Sequence, residues 1–110
     1  GADLTGASLW MSVLKNSSVR RASFNYTNLR DADLKGANLI EVELVSATLN
    51  NAQLQGAKIW YANFENADLG RANLKGAEIY ESNLMRRICG LIYFPDKECA
   101  EIKLNLLNSR

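Results

Sequence analysis

The stretch that decides the fold is KGAEIYESNL at residues 75–84, read against QGAKIWYANF at 55–64 and KGANLIEVEL at 35–44. A Gly-Ala pair and an aliphatic residue return every twenty positions while the remainder varies. A finer rhythm runs inside it, with Leu34, Leu39, Leu44, Leu49, Leu54, Ile59, Phe64, Leu69, Leu74, Ile79 and Leu84 falling five apart. Leu4, Leu9, Leu14, Val19, Phe24 and Leu29 carry the series back to the N-terminus, giving seventeen pentads without a slip. Two residues before each of these centres stands Ala, Ser or Thr, with Val42 as the exception.

A period of five fits neither the 3.6 of a helix nor the 2 of a straight strand. It fits a solenoid in which each pentad supplies a short extended piece and a tight corner. Four pentads then make one square turn, and residues twenty apart stack at the strand spacing of about 4.8 Å. Lys35, Gln55 and Lys75 form one vertical column and Gly36, Gly56 and Gly76 the next. Both the small and the large member of each pentad point inward, because four walls converging on one axis leave room only for alternating small and large side chains. The corners carry turn chemistry. Gly or Asn stands second after the centre at Gly6, Asn16, Gly36, Asn51, Gly56, Asn66 and Gly76, as the positive φ of a type II turn favours. Asn16, Gly36, Gly56 and Gly76 share one corner, which is expected to be type II throughout.

The segments ADLTG, ADLKG, ANLIE, ADLGR and ANLKG resemble the A(D/N)LXX units of the pentapeptide repeat family. The resemblance covers residues 2–86. It implies an all-β solenoid, a right-handed quadrilateral β-helix of about four coils. It implies little about activity, since the family is widespread in bacteria and cyanobacteria and most members have no assigned role.

The motif stops at Met85, so the expected domains are a repeat β-helix over 1–86 and a C-terminal cap over 87–110. From Asp96 the chain reads as a helix, with Asp96 as N-cap behind Pro95 and with Cys99, Ile102, Leu106 and Leu107 sharing much of one face. Such an α-helical cap would cover the last coil. The competing reading, from the resemblance, is dimerisation through the C-terminal region, as in some family members; monomer and dimer both stay open. Cys89 and Cys99 flank the junction. They are either a disulfide tying cap to stack or a pair of buried thiols. A bridge would imply an oxidising compartment such as periplasm or thylakoid lumen; free thiols would fit the cytoplasm. A first coil that starts at Gly1 without a cap is expected to continue from upstream residues.

Composition narrows the function classes. The 110 residues carry thirteen Lys plus Arg against twelve Asp plus Glu and no His, so no strong field is offered to nucleic acid, which is not expected as a partner. Apolar residues never run for eighteen positions, so no membrane insertion is expected. Without His the usual bases would be carboxylates, and a square prism packed solid gives them no cleft. The chain is read as not an enzyme, with no catalytic residues, cofactor or metal site; RRICG and DKECA lack zinc spacing.

The outward columns remain. The first residue after the centre on one corner is Arg20, Ile40, Trp60 and Tyr80, and beside it run Arg21, Glu41, Tyr61 and Glu81. Ile40, Trp60, Tyr61 and Tyr80, with Arg20 nearby, make an exposed aromatic strip. It serves either as a ladder stabilising the stack or as a docking face for an unidentified protein partner. The functional expectation is a non-catalytic rigid scaffold or protein–protein interaction module. Its alternative, drawn from the resemblance, is a DNA-mimic gyrase-binding protein of the fluoroquinolone-resistance type. Residues 1–86 carry nine basic and nine acidic side chains, which is a poor imitation of a duplex.

Overall fold

The computed structural model describes residues 1–80, four square turns of chain. Each turn stacks on the one before in parallel register at a separation of twenty residues: Asp3 pairs with Ser23, Ser23 with Glu43 and Glu43 with Asn63. The other walls repeat the pattern, as in Val13 with Asp33 and Asp33 with Gln53. Most walls are a single bridged residue wide, because a corner interrupts the chain every fifth position. Two longer pieces form on one wall, β1 (Lys58–Trp60) and β2 (Glu78–Tyr80), paired in parallel with Ile59 opposite Ile79.

Backbone hydrogen bonds explain why the pentad is the unit. The centre and the second residue after it donate upward to the next coil, as Leu54 N does to Asn73 O (2.8 Å) and Gly56 N to Lys75 O (3.2 Å). The residue before the centre donates downward, as Gln53 N does to Ala32 O at 2.9 Å. The small inward residue closes the corner, as Ala57 N does onto Leu54 O at 3.1 Å. A fully stacked pentad thus commits four of its five N–H groups to ladder or corner, which satisfies the demand that buried backbone groups be paired.

The axis is filled as the pattern requires. Phe24, Leu29, Leu34, Leu39, Leu44, Leu49, Leu54, Ile59, Phe64, Leu69 and Leu74 are buried, and between them lie Ala32, Ala37, Ala47, Ala52 and Ala57. Val42 is buried as well and occupies a small position without breaking the stack. Thr27, a polar residue at an inward small position, donates its hydroxyl to Leu4 O at 3.2 Å and so enters the core satisfied. Leu4, Leu9, Leu14 and Val19 of the first coil pack against this core half-buried.

The type II corner is not confined to the column expected from sequence. Every described corner has positive φ at its third residue, including Met11 (58°), Arg21 (62°), Tyr26 (59°), Glu41 (59°) and Tyr61 (56°). The left-handed conformation costs a non-glycine residue about 1–2 kcal/mol. It is imposed here because the same residue also donates to the next coil: Met11 N to Arg30 O, Tyr26 N to Val45 O and Tyr61 N to Tyr80 O, each at 2.9 Å. The stack overrides local preference, so Gly and Asn at a corner are favourable without being required. The C-terminal helical cap and the end of the β-helix over 81–86 lie outside the described residues.

Candidate functional site

The square section gives four corners, each a double column of outward residues. The fourth corner holds the expected strip. Its lower part is an ion cluster, in which Glu41 accepts from Arg21 Nε at 3.2 Å and lies 3.7 Å from Arg20. Its upper part is aromatic. Tyr80 meets Trp60 edge-on at a centroid distance of 6.5 Å and Tyr61 at 5.7 Å, with interplanar angles of 67° and 89°. Rings at these angles place a positive edge against a negative face, the arrangement in which aromatic pairs stabilise one another.

Trp60 is 37% exposed and Tyr61 and Tyr80 are each 54% exposed, so all three present ring surface to solvent. Ile40 differs from the expectation of a fully exposed strip. It is half-buried, at the foot of the aromatic cluster and beside the Glu41 ion cluster in the same turn. Arg20 is held by Glu41 rather than free beside the rings. Lys58 and Glu78 flank the cluster as the outward residues of β1 and β2. Cys89 and Cys99 lie outside the described residues, as does Glu81.

The third corner is polar, with Lys15, Lys35, Gln55 and Lys75 in one column. Its second column shows why Gly36 is Gly: Asn16 Oδ1 lies where a Cβ on Gly36 would stand. At the first corner, Thr5, through its hydroxyl and its backbone N–H, holds the Asp3 carboxyl below its ordinary pKa, so Asp3 is a turn-forming carboxylate. Among the described residues no three His, Cys, Asp or Glu side chains gather as a metal site. No helix among them is long and apolar enough to cross a membrane.

The second corner was missed in the sequence reading. In its first tier Trp10 (60% exposed) and Met11 stand out into solvent, with Val13 (75%) on the adjoining wall. Directly above Trp10 and Met11 come Arg30 and Asp31, then Asn50 and Asn51, then Gly70 and Arg71. Trp10 Nε1 donates to Asp31 Oδ2 at 3.3 Å. The signal was legible: all three outward positions between Leu9 and Leu14 that flank an inward Ser12 are apolar.

A parallel solenoid of square coils, with small and large residues alternating on its axis and turns every fifth residue, defines a class of protein built from pentapeptide units. The sequence profile described as "Pentapeptide repeats" matches residues 1–36, 22–60 and 47–86 in eight copies. The chain belongs to the pentapeptide repeat family. Among solved structures it is similar to the pentapeptide repeat protein Rfr23 from the cyanobacterium Cyanothece 51142, at 30% identity and a TM-score of 0.73 over 74% of this chain. It is also similar to a pentapeptide repeat protein of the Arabidopsis thaliana thylakoid lumen, with a TM-score of 0.77 over 96% of this chain and 73% of that one; at 24% identity this likeness shows the fold alone. A third is HetL from Nostoc sp. strain PCC 7120, a pentapeptide repeat protein involved in heterocyst differentiation regulation, 33% identical over 70% of this chain with a TM-score of 0.52. The chain spans 56% of the Cyanothece protein and 46% of HetL. No curated protein matches it.

Proposed function

We propose that this chain is a non-catalytic scaffold whose fourth corner docks a protein partner. One observation carries the reading. Tyr80 meets both Trp60 and Tyr61 edge-on, and all three still expose ring surface to solvent. Pre-ordered Trp and Tyr side chains lose little rotamer entropy on binding and are the residues that anchor interfaces. The solenoid beneath them supplies rigidity, because each ring is borne by a residue bonded into the coil above or below: Glu41 N to Trp60 O (2.8 Å) and Tyr61 N to Tyr80 O (2.9 Å). Pentapeptide repeat proteins are in general structural or interaction proteins, which supports the non-catalytic part of the reading.

The DNA-mimic alternative finds no support in charge, since the basic and acidic side chains of residues 1–86 balance. The compartment turns on Cys89 and Cys99. A bridge between them belongs to periplasm or thylakoid lumen, and two free thiols belong to the cytoplasm. Thiol labelling of the unreduced, denatured chain distinguishes the two.

The docking reading is tested by capture from native extract with the wild-type chain, Trp60→Ser, Tyr61→Ser and, as a control on the third corner, Lys35→Ala. The expected result is one partner held by wild type and Lys35→Ala and lost from both aromatic variants, all four melting as folded domains. Equal capture by all four overturns it.

A further inference from the structure

We infer that the second corner is a self-association surface, and that its occupant is a second copy of this chain related by a two-fold axis parallel to the solenoid axis. Such an axis keeps the tiers of the two solenoids level and exchanges the two columns of the corner. The first residue after each centre then faces the second residue after the same centre in the other copy.

In the two lower tiers this pairing is complementary. In the first tier Trp10 faces Met11, both exposed and apolar, in a pairing that also allows a sulfur–aromatic contact. In the second, Arg30 faces Asp31, twice over by symmetry. Neither forms an ion pair among the described residues, where the salt bridges join Arg20 and Arg21 to Glu41. One Asp31 oxygen accepts from Trp10 Nε1, which leaves the other for a guanidinium from outside. In the third tier Asn51 is exposed, while the Asn50 amide lies against Gly70 with its oxygen buried. In the fourth Arg71 is exposed and Gly70 is buried, so the two upper tiers add no pairing of their own. Gly70 is Gly for an internal reason, since Asn50 Nδ2 lies 2.9 Å from where its Cβ would be.

The same operation fails at the other corners. At the third it places Lys15 against Asn16 and sets Lys35 and Lys75 opposite Gly36 and Gly76, with no acid in either column. At the fourth it drives Arg20 onto Arg21, and at the first it offers no pair of opposite charges. The complementarity is therefore a property of the second corner and not of the repeat.

Four tiers span about 14 Å along the axis at the strand spacing. One corner of that height falls short of the roughly 800 Å² per partner of a standard interface, so the dimer is weak, with a Kd on the order of 0.1–1 mM. It does not involve the aromatic corner and stands whether or not that corner docks a partner.

Sedimentation equilibrium of the 110-residue chain up to about 1 mM tests it. Wild type is expected to dimerise. Arg30→Asp and Asp31→Arg each set like charges across the second tier and should raise Kd by about tenfold or more. The double variant exchanges the charges and should restore it, while Lys35→Asp on the third corner should leave it unchanged. Melting curves establish that each variant is folded. A chain that stays monomeric throughout overturns the inference. So does a dimer whose Kd ignores the two single variants, which would place the contact elsewhere on the chain.

Discussion

The side-chain oxygen of Asn38 lies 3.1 Å from the backbone nitrogen of Ile40 and accepts its hydrogen bond. Asp33 does the same for Lys35, Asn63 for Glu65, Asp68 for Gly70 and Asn73 for Lys75. This N–H is the fifth of the pentad, the one that ladder and corner leave over. The preference for Asp or Asn before each centre is thus local: a short side chain ending in an acceptor reaches two residues forward over the corner, and nothing longer does so as well.

Asp33→Ala should therefore destabilise the chain although it touches no core residue. It strips the Lys35 N–H of its acceptor, at a cost of about 1 kcal/mol. Chemical denaturation with unchanged m-value checks it. A variant as stable as wild type would show that water replaces the carboxylate without loss.

Leu54→Asp places a carboxylate on the axis midway along the stack, at a position with no exposure. No cation can reach it there, and the penalty should exceed about 4 kcal/mol, enough to unfold a domain of ordinary stability. Loss of the cooperative melting transition is the expected outcome. A wild-type melting curve would contradict the inward placement of the pentad centres.

Gly36 and Gly56 occupy one column with φ of 66° and 70°, yet they should respond unequally to Ala. Gly56→Ala meets no atom within 4 Å and bears backbone strain alone, about 1 kcal/mol. Gly36→Ala must also displace the Asn16 side chain, and its loss of stability should be the greater. Adding Asn16→Ala to Gly36→Ala should bring the two sites level. Thermal melts of the three variants read the difference.

Trp60→Ser removes an edge-to-face contact with Tyr80, worth about 1 kcal/mol. If the ring also anchors a partner, capture should fall by far more than this loss explains, by about 2 kcal/mol or more. Measuring melting midpoint and capture on the same preparation separates the two contributions.

The sequence alone determined the solenoid. A five-residue period with one small and one large apolar residue per unit admits no helix and no flat sheet, so Leu54 and Ala52 had to face a common axis. It also determined which residues share a corner, because columns follow from counting in twenties. Three features were decided by the tertiary structure. The left-handed conformation of Met11, Tyr26 and Tyr61 comes from the rung above, whose carbonyl holds an N–H that local preference would turn elsewhere. The half-burial of Ile40, and the capture of Arg20 by Glu41 of the next coil, are contained in no count of residues. The bond from Trp10 Nε1 to Asp31, which ties the first two tiers of the second corner, likewise requires both the column and its height. A period fixes where side chains point; the stacked backbone decides what they meet.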